Sequence, residues 1–594
     1  MNIFRRTPQR KKAPAPARLI AYDFETTRIQ PGTPRPLYLT AYSQDPPMHY
    51  ASAIGDMTEL TLILVNQFLT PENAGCKFVA WNGNKFDGYL IAVCLIHREE
   101  YTVRPYLTRS NALRGLRVEL KECPEWWTGK GNPSWEFLDG MAMLGFVGLS
   151  LEKFLLNFAP DYGKMIGVID FEREEFNPDN PTHCDYAMRD SVGLYHGMMR
   201  AQEIIVDAFD EPLRVTMGGV CIRIFAAHIP EGVFIHEPPE VLTDTIRQYV
   251  MRGGFCYLAR RYVGPVWKYD INQAYAAAMR EAKLPTGRAM HTACGLHTYA
   301  DVYVARVTAT NPRGIIPFYY RTEIDGRLRS VFSATRIADT WLTSIEVEQL
   351  RAEGWQISIA ESWTWETRFN MRDYVDKLER IRTTCDGGPS GPIGTMAKAV
   401  GNHSYGKTVE QLDDIEFTLA AQCPPGFAPF YADGFEPLPH VFFRFLEGDD
   451  KPRPKPYHKP QIGAFITAHV RMVLRRAALV APDAWIYADT DCVVFTRDVT
   501  AALDVDAKRY GAWKIECAGK PYRFIAKKVY AEIDGPNRSA KGMNVKRLTA
   551  QDFEAWADGS PPVQDQTQRQ NFLRVMQGAE MFRSQTRRGT KISA

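Results

Sequence analysis

The chain of 594 residues has no Cys-x-x-Cys pair, and its 11 cysteines are scattered and odd in number. That excludes a disulfide framework and a zinc ribbon as organising devices, and it suggests a reducing compartment. The 12 histidines form neither His-Glu-x-x-His nor His-x3-His, which excludes the common zinc sites. Long hydrophobic runs are missing too. The longest, LTLILVNQFL from Leu60, is too short to span a bilayer and reads as a buried helix. The first 18 residues, MNIFRRTPQRKKAPAPAR, are basic but lack an apolar core, so they are no secretory signal. They are expected to form a flexible, solvated arm, with nucleic-acid contact as the lesser reading. Neither sign of charge dominates: 72 Lys and Arg against 69 Asp and Glu give +3, which permits a nucleic-acid partner without demanding one. GGPSGPIGT lacks the lysine that a Walker loop places before Thr395, so it reads as a turn.

What is present is ordinary globular composition, 45% apolar and 24% charged, in a chain too long for one core. Through the first third, strand and helix patterns alternate, which predicts an α/β layer. ARLIAYDFETT reads as a strand, CKFVAWNGNKFDGYLI as strand, turn and helix, and HCDYAMRDSVGLYHGMMRAQEIIVDAF as a helix. Further on, KYDINQAYAAAM reads as strand, turn and helix. RFNMRDYVDKLERIRTT and TMAKAVGNHSYGK are predicted as an αα-hairpin closed by CDGGPSGPIG. A Pro-rich stretch from about Cys423 to Pro460 shows no period, and QIGAFITAHVRMVLRRAALV resumes as helix.

Carboxylates carry the chemistry. Asp23 and Glu25 alternate on a strand and therefore share one face, a donor pair suited to magnesium or manganese. Alone, Asp-x-Glu is also a common edge-strand pattern. Asn82 and Asp87 in NGNKFD, with Tyr186 and Asp190 in YAMRD, add what a two-metal phosphodiester hydrolase needs, Tyr186 orienting a water. A second set begins at Asp270, which by itself reads more often as a helix N-cap than as a metal ligand. Tyr275 follows five residues later, and Asp489 and Asp491 lie far downstream in WIYADTDCVVF. Lys398, Asn402 and Tyr405 are spaced i, i+4, i+7 and share a helical face, either as a plain amphipathic surface or as a triphosphate and base-pair contact.

In their order these motifs resemble family B DNA polymerases. Asp-x-Glu, Asn-x3-Phe-Asp and Tyr-x3-Asp look like the three proofreading exonuclease motifs. Asp270 with Tyr275, Lys398-x3-Asn402-x2-Tyr405-Gly406 and Tyr487-x-Asp489-Thr490-Asp491 look like polymerase motifs A, B and C. Lys528-Val-Tyr530 is similar to the Lys-x-Tyr motif that meets the primer strand. Arg252-Gly253-Gly254 is similar to the link between the two modules, with Met251 in place of its usual tyrosine. Other departures are Gln-Ala-Tyr-Ala after Asp270, His403 after Asn402, and Cys492 where a serine is usual.

The resemblance implies a multidomain α/β and α+β chain, with an RNase H-like exonuclease followed by a right-hand polymerase of palm, fingers and thumb carrying two insertions. On that pattern residues 1–210 are the arm and exonuclease, 211–281 palm, 282–369 an insertion docking a terminal protein, and 370–406 fingers. Residues 407–460 are then an insertion for strand displacement, 461–545 the rest of the palm and 546–594 the thumb. It further implies two Mg2+ or Mn2+ per active site. Asp270 and Asp491 are their polymerase ligands, Asp489 the supporting acid, and Asp23, Glu25, Asp87 and Asp190 the exonuclease ligands, with Lys164 supporting the phosphate. Tyr275 becomes a gate against the ribose 2′-OH. Arg382 joins Lys398, Asn402 and Tyr405 on the nucleotide. Thr26, Asn82, Phe86, Arg252, Gly253, Gly254, Lys528 and Tyr530 are implied to face DNA.

The first acidic motif begins at Asp23, and the interval between Tyr405 and Tyr487 is long, which favours the protein-primed branch. Primer-template DNA, deoxynucleotides, a separate terminal protein and a single-stranded-DNA-binding protein are the partners it implies, in the cytoplasm of a bacterial host and with no membrane. A conventionally primed or primer-independent family B polymerase is the alternative within the enzyme class. A decayed nucleic-acid-binding protein is the alternative outside it.

Overall fold

The computed structural model describes residues 3–8, 15–170, 174–297, 299–411, 414–431, 440–448 and 454–591. Among these residues no helix is long and apolar enough to cross a membrane. Three sheets organise the chain.

The first has ten strands. Its centre is Leu19–Thr26, parallel to Lys77–Ala80, which is parallel to Ser134–Asp139; the other pairings in it are antiparallel. LIAY at the start of the first strand is buried at four consecutive positions, as expected where both faces of a sheet are covered. The helix Pro181–Phe209 packs on this strand and on Pro36–Gln44. Asn180 caps its start by accepting from the Thr182 N–H at 3.0 Å, and Asp210 ends it in the left-handed region at φ 55°. Tyr186, Asp190, Leu194 and Ile205 lie on its buried face, as its period predicts.

The second sheet has seven strands, all antiparallel. At its middle lie Trp485–Asp489, Cys492–Phe495, Tyr262–Ile271 and Trp513–Ala526. The helices Ala274–Glu281 and Pro460–Val480 pack beside it, the second buried through most of its length. From this unit rise Arg372–Thr384 and Pro392–His403, the expected helical hairpin. They are joined through a turn in which Gly387 and Gly388 take φ 77° and 62°. The second helix ends at His403, but Ser404 and Tyr405 keep right-handed dihedrals, so Tyr405 continues the row of Lys398 and Asn402.

The third sheet gathers Leu284–Thr292, Tyr303–Thr310, Arg336–Thr343 and Gln356–Phe369, all within the span expected to be the first insertion. It also holds a correction. The N-terminal arm is not wholly free, since Ile3–Arg5 pairs antiparallel with Phe234–His236 at this sheet's edge. Phe4 is buried there, 6.0 Å from the Phe225 ring. A three-residue strand is too short to register as a period, and its partner is distant in sequence. Residues 1, 2 and 9–14 of the arm lie outside the described residues.

The stretch after Gly406 also departs from expectation. Ile415–Leu419, Ala428–Pro429 and Val441–Phe445 form strands, and Leu419 pairs with Val103, so this segment extends the first sheet. Residues 412–413, 432–439 and 449–453 of that span lie outside the described residues. At the C-terminus, the hairpin of Val563–Arg569 and Phe582–Arg588 returns to the first unit. Gly32 and Phe582 exchange backbone hydrogen bonds of 2.8 and 2.9 Å.

Candidate active sites

On the first sheet, Asp23 and Glu25 project to one side of their strand, and the helix Pro181–Phe209 brings Asp190 over them. The three carboxylates lie within 4.8 Å of one another. Lys164 Nζ is 2.5 Å from Asp190 Oδ2 and 4.8 Å from the Tyr186 ring centre. Asp190 Oδ1 is buried with no hydrogen-bond partner. Asp87, the first residue of the helix Asp87–Leu95, is buried beside them.

These acids resist ionisation. Burial raises Asp23 well above the usual range, reinforced by Glu25, Asp87 and Asp190. Burial and Asp190 push Glu25 to about 7 against the pull of Lys164. Burial pushes Asp87 to about 7 although two backbone N–H groups favour its charge. For Lys164 burial works downward, yet Asp190 and Tyr186 raise it overall. A buried cluster of mutually repelling carboxylates, one with an orphaned oxygen, fits divalent cations. Asn82 takes a left-handed conformation (φ 66°) in the turn before Asp87, Thr26 ends the acidic strand, and Phe86 stacks on Phe582 at 6.4 Å. One acid escaped the motif reading. Asp139 is buried at a strand end, caps the next helix through the Ala142 N–H at 3.1 Å, and adds negative potential to Asp87.

On the second sheet, Asp489 pairs with Cys492 across a two-residue turn made of Thr490 and Asp491. Thr490 sits at φ 62° and donates its N–H to Phe255 O at 2.8 Å. A Cβ on Gly254 would stand 3.1 Å from Thr490 Cα and 3.0 Å from its Oγ1, so the turn rests directly on that glycine. Asp270 lies opposite Cys492 on the neighbouring strand, and the Ile271 N–H donates to Asp491 O at 2.8 Å. Backbone pairing thus sets the two strands' acids side by side. Burial, then Asp270 and Asp489, raise Asp491 to about 6. Burial and Glu516 raise Asp270, with Lys514 at 3.4 Å opposing. Asp489 is already satisfied by protein: Lys528 Nζ at 2.9 Å, Tyr487 OH at 3.1 Å and Thr490 OH at 3.1 Å. Asp270 and Asp491, raised together beside one another, are the pair with carboxylate left to offer a cation. Motif reading missed Lys514 and Glu516, which alternate on the strand facing Asp270.

Around this pair stand the expected nucleotide residues. Burial, then Arg382 and Lys514, lower Lys398, while Asp270 and Asp491 pull it back up. Tyr275 and Tyr405 pack ring to ring at 5.1 Å. Asn402 is exposed on the same helix. Tyr530 stacks on Phe524 at 5.0 Å, and Lys528 spends its charge on Asp489.

Arg252 needs correction. Its side chain is fully buried in an ion pair with Glu346 of the third sheet's helix Ser344–Ala352, and it donates to Tyr319 O at 2.8 Å. Arg471 joins at 2.9 Å from Glu346 and donates to Gly253 O at 3.0 Å. A guanidinium held this way is a structural tie and reaches no phosphate. Of the other departures, Cys492 is buried, His403 Nε2 lies 3.4 Å from Gly145 O, and Met251 Sδ accepts from Thr467.

Residues 172–422 match the family described as DNA polymerase type B, organellar and viral. The chain is 25% identical over 382 residues to a DNA-directed DNA polymerase of Enterobacteria phage PRD1, covering 64% of this chain and 63% of that one. Part of the chain is thus similar to type B DNA polymerases. A DNA polymerase of Streptococcus phage Cp-1 is 23% identical over 277 residues, 44% of this chain and 45% of its own length. The matched part thus spans less than two thirds of either relative. Solved structures of Phi29 DNA polymerase share the fold almost throughout. The complex with primer-template DNA and incoming nucleotide has a TM-score of 0.71 at 18% identity, covering 97% of this chain and all of that one. The orthorhombic crystal form gives 0.72. The chain therefore has the mixed α/β, multidomain fold of Phi29 DNA polymerase.

Proposed function

We propose that this chain is a DNA-dependent DNA polymerase with a 3′→5′ proofreading exonuclease, replicating a linear viral or plasmid genome from a terminal-protein primer in a bacterial cytoplasm. The observation that carries this reading is the pair of separate carboxylate clusters, Asp23–Glu25–Asp190 with Asp87 on one sheet and Asp270–Asp491 on another. Each cluster is short of positive charge where its acids crowd. Two Mg2+ or Mn2+ bound at each supply charge stabilisation for the reacting phosphate oxygens.

The protein's own groups do the rest. Lys398 and Arg382 hold triphosphate oxygens, Tyr275 with Tyr405 limits the space at the sugar, and Lys528 with Tyr530 meets the primer strand. In the other site Lys164 holds phosphate charge, Tyr186 orients water, and Thr26, Asn82 and Phe86 hold the primer end. We assign 1–210 to the arm and exonuclease, 211–281 and 461–545 to the palm, 370–406 to the fingers and 546–594 to the thumb. Residues 282–369 dock the terminal protein. Residues 407–460 flank the DNA and trap opened duplex, a step costing about 1.4 kcal/mol per base pair. A single-stranded-DNA-binding protein receives the displaced strand.

Primer extension on a primed template with Mg2+ and four deoxynucleotides tests the central activity: labelled primer should lengthen, and should shorten when nucleotides are withheld. A primer that does neither contradicts it. Abundant product from circular single-stranded template without primer or terminal protein would sink strict protein priming.

A further inference from the structure

Tyr510 is fully buried where three elements meet. Its N–H donates to Glu379 Oε1 at 2.7 Å, on the helix Arg372–Thr384. Its carbonyl accepts from Arg280 Nη2 at 2.6 Å, on the helix that follows Asp270. Arg280 Nη1 also donates to Glu379 Oε2 at 2.9 Å, which closes a ring of contacts. The next residues lock to the same strand end: the Gly511 N–H donates to Asn272 O at 2.8 Å, and the Asn272 N–H to Ala512 O at 3.0 Å. Tyr510 therefore cannot shift without moving the finger helix or the strand that bears Asp270.

Its ring faces one cation. The Arg382 guanidinium carbon lies 5.8 Å from the Tyr510 ring centre, within cation–π range. The Tyr510 hydroxyl and Arg382 Nε make no hydrogen bond of good geometry, and although the guanidinium also acts on the hydroxyl, its carbon stands over the ring face. Arg382 belongs to the positive field that bears on Lys398, beside Asp270 and Asp491. An arginine on a finger helix has many rotamers, and ordering it before the nucleotide arrives lowers the entropic cost of binding.

We propose that Tyr510 is a positioning residue for the triphosphate of the incoming nucleotide: its ring holds the Arg382 guanidinium, and its clamped backbone ties that position to the Asp270 strand. This rests on the polymerase reading above. The contact acts on nucleotide binding more than on the chemical step, so its signature is a rise in KM with little change in kcat.

Single-nucleotide incorporation by the full chain tests it, with exonuclease on single-stranded DNA measured alongside. Tyr510→Met fills the space without a π face and should raise nucleotide KM about fivefold to tenfold, with kcat within about twofold. Tyr510→Phe keeps the ring and should stay within about twofold of the starting enzyme in both. In an Arg382→Ala background, Tyr510→Met should add nothing. An additive effect in the double variant, a fall in kcat at constant KM, or joint loss of both activities in Tyr510→Met would overturn the proposal. Tyr510→Phe behaving like Tyr510→Met would overturn it too. A starting chain that incorporates no nucleotide at all would instead defeat the polymerase reading.

Discussion

The two carboxylate clusters use the same residue type in opposite surroundings. Around Asp23, Glu25 and Asp190 the acids are closed in between a sheet and a helix, with Lys164 as their cation; burial raises all three, Glu25 to about 7. Around Asp270 and Asp491 the acids stand at a hairpin turn, with Lys514 beside Asp270, Lys528 on Asp489, and Lys398 within their field. The protein sets three lysines about the second site and one, Lys164, against the more deeply buried first. Burial depth and nearby cations thus separate two sites that sequence pattern alone makes equivalent.

The sharpest break between them should come from single residues that touch one site only. Lys164→Met leaves Asp190 without its cation and should cut exonuclease on the order of 100-fold while synthesis is unchanged. Gly254→Ala pushes a methyl into Thr490 and displaces the Asp489–Asp491 turn. It should cut synthesis by roughly 100-fold and spare degradation of single-stranded DNA. Both are read from rates on one labelled primer, and equal losses in the two activities would erase the distinction.

A graded effect comes from pH. Cation binding requires ionised carboxylates, so wherever an acid is protonated in the metal-free fold, binding releases a proton and weakens as pH falls. Glu25 and Asp87, both near 7, put the onset for the exonuclease around neutrality; Asp491, near 6, puts it about a unit lower for synthesis. Half-saturating Mg2+ for degradation should therefore climb first on acidification, by about tenfold or more per pH unit. The stability of the metal-free chain runs the other way with pH. These raised acids weaken the fold least at low pH, and stability falls progressively as pH rises from about 4, where the unfolded carboxylates ionise, to about 6 to 7, where the folded ones do. Parallel Mg2+ titrations from pH 5.5 to 8 read both onsets, and coincident onsets would contradict the contrast.

The smallest effect is expected at Cys492. It lies buried beneath the turn, and burial holds its thiol well above the usual range, so it is an inert packing group. Cys492→Ser places a hydroxyl in the same apolar cluster and should lower stability by about 1 kcal/mol, with synthesis within about twofold. Denaturant midpoints and extension rates check it.

The acids of both sites were legible in the sequence because each sits in a local strand, turn or helix pattern. Asp23 and Glu25 announce a shared face by alternation, Tyr186 and Asp190 by helical spacing, and Asp489 and Asp491 by their position in an apolar run. The unseen parts depend on partners far along the chain. Arg252 looked like a surface cation because its buried partner Glu346 arrives from an inserted segment. Ile3–Arg5 finds its strand partner more than two hundred residues away. Ile415–Leu419 joins a sheet built from the first third of the chain, which no local period signals. Lys514 and Glu516 were plain charged strand residues until Asp270 was placed opposite them. Environment, which decides pKa and therefore division of labour, is a tertiary property.

The separation of the two sites is the claim on which the account stands. Asp23→Ala and Asp270→Ala, each assayed for extension and for degradation on one primer-template, test it most directly. The expected result is reciprocal: Asp23→Ala extends but does not degrade, and Asp270→Ala degrades but does not extend. If either substitution removed both activities from a chain that remained folded, the two-site account would be wrong.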